Sequence, residues 1–98
     1  MELDEKVIKW ANDRGIFESS DPKSQCLKTM SEAGELADAV NKNNLDEIVD
    51  AIGDIEVTLI LLSKMYRLDR HECLKSAYDV ISKRKGKMEN GVFVKKDK

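Results

Sequence analysis

The chain reads as an all-α protein, and three observations predict that class. Apolar residues recur at three- and four-residue spacing through most of its 98 residues, the period of a helix face. Helix-start signals stand at Asp21-Pro22, at Asn44 with Glu47, and at Asp69 with Glu72, and Pro22 is the only proline. Apolar residues make up 41% and charged residues 37%, a balance that suits a strongly helical, soluble domain rather than a disordered chain. The expected architecture is four helices, at about 3–14, 22–42, 45–66 and 70–85, followed by a short extended tail. Residues 1–98 have room for one core and are read as one domain.

The first helix, 3–14, sets Leu3, Val7, Ile8, Trp10 and Ala11 roughly on one side, and Arg14-Gly15 ends it through a left-handed glycine. Ile16 to Ser20 read as a connector. Asp21 then caps the second helix, with Pro22 at its first position. Its expected apolar face is Cys26, Met30, Ala33, Ala37 and Val40, with Leu36 at the margin and Lys28, Glu32 and Glu35 flanking. Asn43-Asn44 break the chain, and Asn44 with Glu47 starts the third helix. From Ile55 to Leu62 that helix is apolar nearly all round, so it is expected to be buried on all sides. A chain this short cannot wrap it alone, and a homodimer or homotetramer through this third helix is the consequence. Asp69 caps the fourth helix, which is expected to bury Cys73, Leu74, Ala77, Val80 and Ile81 and to stop at Gly86. Asn90-Gly91 marks a turn, Val92-Phe93-Val94 an extended piece and Lys95 to Lys98 a frayed tail.

Two acidic blocks dominate the middle of the chain. Glu32 and Glu35 lie in the second helix, and Glu47, Asp50 and Asp54 in the third. At three- and four-residue spacing they share a helix side, where like charges repel by roughly 0.2–0.5 kcal/mol per pair. The short turn between the helices makes them antiparallel neighbours, which brings both blocks to one end of a hairpin. Oxygen donors alone, with no His or Cys among them, suit a hard divalent cation such as Mg²⁺ rather than zinc. The bland reading is a solvated acidic surface; apolar flanks and the small residues Gly34, Ala51 and Gly53 weigh against it. His71 is given no role.

Composition excludes other classes. A net charge of −2 lacks the basic excess of a duplex binder, so no nucleic-acid partner is expected. No stretch approaches the roughly eighteen apolar residues of a membrane span, and the N-terminus has no signal-peptide core. Cys26 and Cys73 lack motif partners and read as reduced, buried thiols of a cytoplasmic protein.

At the acidic blocks the chain resembles the MazG-like nucleotide pyrophosphohydrolases of the all-α NTP pyrophosphatase superfamily. Glu32-Ala-Gly-Glu35-Leu36 matches the family's Glu-x-x-Glu, and Ile52-Gly53-Asp54 its Leu-Gly-Asp. The likeness extends to Trp10-Ala-x-x-Arg14-Gly15, to Asp21-Pro22-Lys23-x-Gln25, and to Arg84-Lys-Gly-Lys-Met88 with Asn90-Gly-Val-Phe93. One departure stands out: Ala51 occupies the place of the family glutamate three residues before Asp54, and either Asp50 or Glu47 can stand in. The resemblance implies Mg²⁺-dependent cleavage (Mn²⁺ as a substitute) of a nucleoside triphosphate between its α- and β-phosphates. Glu32, Glu35, Asp50 and Asp54 are then the metal ligands, with Glu47 as outer or alternate ligand, and Glu35 or Glu32 orients or deprotonates the attacking water. Lys28, Lys83, Arg84 and Lys87 are candidates for the phosphate chain, although cations that close a helix are also favoured by its dipole. Trp10 is a candidate for base stacking, and Arg14, Asn12, Lys23 and Gln25 are polar candidates for the same pocket. The alternative is a non-catalytic oligomerisation or regulatory module that keeps the fold.

Overall fold

The computed structural model describes residues 2–96. Five helices precede one β-hairpin: α1 (Leu3–Asp13), α2 (Ile16–Ser19), α3 (Pro22–Asn41), α4 (Leu45–Met65), α5 (Arg70–Ile81), β1 (Lys85–Glu89) and β2 (Val92–Lys96). The boundaries follow the local chemistry. Gly15 takes φ 74° between α1 and α2, a conformation open to glycine at little cost. The Asp21 carboxylate accepts the Ser24 N–H at 2.7 Å, ahead of Pro22 at the first position of α3. The Asn44 side chain accepts the Glu47 N–H at 3.2 Å and the Asp69 side chain the His71 N–H at 2.8 Å, so both predicted caps satisfy otherwise orphan amide donors.

Three expected boundaries are corrected. Ile16 to Ser20 is not a plain connector, because residues 16–19 close one helical turn. The last helix ends at Ile81, four residues before Lys85, and Gly86 is a strand residue rather than a helix stop. Val92-Phe93-Val94 belongs to a full antiparallel hairpin that also takes in Lys95 and Lys96; residues 97–98 of the expected frayed tail lie outside the described residues. Asn90 and Gly91 both take positive φ, 50° and 82°, the two-residue turn whose twist matches paired strands. At Gly86 a Cβ would collide with the Val94 carbonyl oxygen and the Phe93 ring, so glycine lets the aromatic ring fold across the ladder.

The centre of the molecule is the antiparallel pair α3 and α4. Facing residues report the pairing directly: Thr29 lies against Thr58, 2.9 Å between hydroxyl oxygens, and Lys42 against Glu47, 3.9 Å. Thr58 in turn donates to the Ile55 carbonyl at 2.7 Å. α1 packs on α2 and α4, and α5 packs on α4. Arg70, at the start of α5, forks onto the Asp4 carboxylate of α1 with two 3.2 Å hydrogen bonds. His71 stands 3.4 Å from the same carboxylate.

The side of α3 turned toward α4 is not the expected one. Gln25, Glu32 and Ala39 are buried and Thr29 and Leu36 half-buried, whereas Cys26, Met30, Ala33, Ala37 and Val40 face outward. Met30 is 66% exposed and Val40 56%. A second bare stripe, Leu45, Val49, Ile52 and Leu59, runs along α4. The Ile55–Leu62 run is therefore not buried on every side: Thr58, Ile60 and Leu61 are, and Leu59 is not. The expected burial of Cys73, Leu74, Ala77, Val80 and Ile81 is also overturned, since all five are exposed on α5. Both cysteines are exposed thiols rather than buried ones. The physical reason is common to these cases. Periodicity identifies an apolar face, but it does not say whether the same chain covers it. Among the described residues the buried apolar core comprises Ala11, Ala39, Ala51, Ile60 and Leu61. The chain exposes 7943 Å², where a compact monomer of this mass exposes about 5,700 Å². Its radius of gyration is 16.2 Å, against about 12.6 Å for a compact chain of this length.

Candidate metal centre

Because the inner side of α3 is its polar side, Glu32 is carried into the α3–α4 seam. Its side chain is 8% exposed, and Oε1 meets Lys28 Nζ one turn earlier at 3.1 Å. The second oxygen, Oε2, is buried with no hydrogen-bond donor among the described residues. A buried carboxylate oxygen left without a donor is costly, and such a group calls for a partner. Carboxylate oxygens of Glu32, Glu35 and Asp54 all lie within 4.8 Å of one another.

The electrostatics follow from that crowding. Glu32 and Glu35 face each other closely enough to share a proton; that contact, helped by Lys28, lowers the Glu32 carboxyl below its ordinary value. Glu35 takes the opposite shift, raised by the same contact and by the charges of Glu32 and, more weakly, Asp54. Like-charge pairs split their affinities in this way. A cation between the carboxylates would do what the shared proton does, at neutral pH and with twice the charge. The donor set is all oxygen, the buried Glu32 Oε2 points to a missing partner, and no His or Cys joins the cluster. These residues fit a hard divalent ion.

Next to the cluster the two helices part to form an open groove of about 290 Å³. Glu35 and Asp38 line it from α3 and Glu47, Asp50 and Asp54 from α4, with Lys42 at the turn and Ala51 between the α4 acids. The five acidic residues expected as ligands therefore divide. Glu32, Glu35 and Asp54 converge, while Asp50 and Glu47 line the groove outside the three-carboxylate cluster. Asp38 and Lys42 were missed. Asp38 follows Glu35 at helical spacing, which was a usable signal; Lys42 is set by the turn geometry.

The other expected site residues fall elsewhere. Trp10 is 43% exposed on α1, with the Arg14 guanidinium stacked 4.9 Å from its ring centre, a cation–π pair, and neither residue lines the groove. Asn12 lines a separate cleft with Phe17, Pro22 and Lys64. Gln25 is buried in the α3–α4 seam and Lys23 is exposed. Lys83, Arg84 and Lys87 are also absent from the groove lining, and Lys87 sits on a strand that pairs only with β2. Lys28 alone of the cationic candidates touches the cluster, through Glu32.

The hairpin of α3 and α4, which buries one glutamate beside two further carboxylates and opens onto an acidic groove, is a carboxylate-rich helical arrangement of a kind that could hold a hard cation. The family model described as "MazG nucleotide pyrophosphohydrolase domain" matches residues 20–90, and the chain belongs to that family. It is 41% identical over 68 residues to an "Uncharacterized 18.2 kDa protein in rep-hol intergenic region" of Haemophilus phage HP1 (strain HP1c1). That match covers 69% of this chain and 42% of the phage protein, so the chain spans about two fifths of its relative. No solved structure matches the chain at a significant level. No helix among the described residues is long and apolar enough to cross a membrane.

Proposed function

We propose that the chain is a Mg²⁺-dependent nucleoside triphosphate pyrophosphohydrolase, cleaving between the α- and β-phosphates to a monophosphate and pyrophosphate. The observation that carries this reading is Glu32 Oε2, buried without a donor at the point where Glu35 and Asp54 converge. Glu32, Glu35 and Asp54 would hold the ion, with Asp50 or Glu47 completing the set from the groove wall. Bound there, Mg²⁺ supplies charge neutralisation for the phosphates and makes water more acidic. Glu35 is the base that accepts the proton of the attacking water. It is exposed and lines the groove, where a substrate's attacking water would stand. Glu32, held by Lys28, stays charged and keeps the cluster in place. Family membership supports the reaction class, with this chain's substrate as the open choice.

The same reading includes a homo-oligomer, dimer or tetramer, formed through α4 together with the outer stripe of α3. The surface in excess of a compact monomer is about 2,200 Å², in the range an obligate partner covers.

A panel of nucleoside triphosphates with Mg²⁺, scored for pyrophosphate against phosphate, tests the reading. Glu35→Gln is expected to lower pyrophosphate release by at least about a hundredfold with a melting temperature no lower than the wild type's and an unchanged oligomeric state. A fully active variant sinks the assignment. The second reading, a non-catalytic module, is favoured by Ala51, which stands buried where the family has a glutamate. Mg²⁺ binding with no turnover across the whole panel is its signature.

A further inference from the structure

The C-terminal hairpin is the part of the molecule that the site on its own chain leaves unused. Between residues 83 and 96, six cations stand against one acid, Glu89. The strand register sets Lys85 directly opposite Lys96, with Lys87 one pair further along on the same face. Like charges opposed across a ladder are destabilising, so this face is built at a cost that an anion would remove. The other face carries Met88 and Phe93, 64% and 47% exposed. β1 and β2 pack on each other and substantially on nothing else in the chain, although a lone two-stranded hairpin is marginal in water.

The α3–α4 groove presents the complementary problem. Glu35, Asp38, Glu47, Asp50 and Asp54 surround it, and its nearby cations are already engaged, Lys42 with Glu47 and Lys28 with Glu32. A triphosphate needs cations that this groove does not offer from its own chain. We propose that the hairpin works in trans: in the assembled oligomer, Met88 and Phe93 pack against a second copy, and Lys85, Lys87 and Lys96 reach across that copy's acidic groove to contact the phosphate chain. This rests on the triphosphate reading above, but the placement of the hairpin stands on charge complementarity and on the uncovered surface. It also explains why Lys87, paired within its own strand only with Glu89 at 3.6 Å, does not line the groove of its own chain.

Two measurements test it. In a Cys26→Ser, Cys73→Ser background, Asp38→Cys and Lys87→Cys are placed on separate, differently tagged chains, which are co-expressed and treated with a bismaleimide. A product joining the two tags is expected. Its absence, or a wild-type chain that sediments as a monomer and engages duplex DNA through the hairpin instead, overturns the proposal. The second measurement mixes a Glu35→Gln chain with a chain carrying Lys85→Ala, Lys87→Ala and Lys96→Ala. Each alone is expected to be inactive. A random mixture of the two in a dimer is expected to recover about a quarter of the wild-type rate, because half the dimers then hold one intact composite site. Full activity of the triple-alanine chain alone, or an inactive mixture beside an active wild type, overturns it. If the wild type itself releases no pyrophosphate, the functional reading fails, and the cross-link still decides where the hairpin lies.

Discussion

The two sides of α3 solve opposite problems. The inner side, Gln25, Thr29, Glu32, Leu36 and Ala39, is polar for a packed surface and is turned onto α4. The outer side, Cys26, Met30, Ala33, Ala37 and Val40, is the more apolar and is left bare. In most amphipathic helices the assignment is reversed, with the apolar stripe turned to the core of the same chain. The inversion here puts the Glu32 carboxylate inside the fold, beside the exposed Glu35 and Asp54, and leaves the more apolar stripe uncovered by its own chain. The proposed site and the proposed interface thus lie on different faces of one helix, and each face can be altered separately.

The largest expected effect is on the outer face. Met30→Glu with Ile52→Glu places charges on both bare stripes, and is expected to shift the protein to monomers in sedimentation velocity. Persistence of the wild-type oligomer breaks the comparison, because the outer face would then have no partner to lose. On the inner face, millimolar Mg²⁺ is expected to raise the melting temperature by binding the folded state, and the pH dependence carries the sign of the carboxylate shifts. Glu35, raised in the folded protein, contributes stability below its ordinary value of 4.5 and loses it as pH rises through the raised one. Glu32, lowered, contributes above 4.5 and loses its contribution on acidification through the lowered one. Without metal, melting temperatures followed from about pH 4 to about pH 8 are therefore expected to show the Glu35 loss on the alkaline side, and Mg²⁺ to remove it. A metal-insensitive profile counts against the cluster as a cation site.

Smaller effects sharpen the seam itself. Thr58→Val removes the hydroxyl that meets Thr29 at 2.9 Å and is expected to cost about 1 kcal/mol, a drop of about 4–8 °C in melting temperature. An unchanged value would show that the seam is held by apolar packing alone. Asn44→Ala removes the cap that accepts the Glu47 N–H, and about 1 kcal/mol or slightly less is expected in urea unfolding. Because Asn44 begins α4, the loss is expected without any change in the oligomer.

Much of the fold could be read from local signals. The caps at Asp21, Asn44 and Asp69, the glycine break at Gly15 and the Asn90-Gly91 turn all depend on a residue and its near neighbours. Each of these signals takes the expected place in the structure. The hairpin was undercalled because strand pairing from Lys85 to Lys96 is a contact between segments, and its lysines resemble a frayed, charged helix end. In the site, the acids of both blocks were visible from spacing. Which three converge was not, since Glu32, Glu35 and Asp54 meet only once α3 has chosen its inner side.

The sequence by itself determined where α1, α3, α4 and α5 start, that one stripe of α3 is apolar, and that two acidic blocks share one end of an antiparallel hairpin. These follow from backbone capping and from the 3.6-residue period, both local properties. Only the tertiary structure decided which stripe of α3 meets α4, and with it the burial of Glu32 and the exposure of Met30. The period of a helix marks the direction of its apolar face without saying whether its own chain or a neighbour lies there. In a chain with so small a core, that choice sets both the carboxylate cluster and the apolar surface left uncovered.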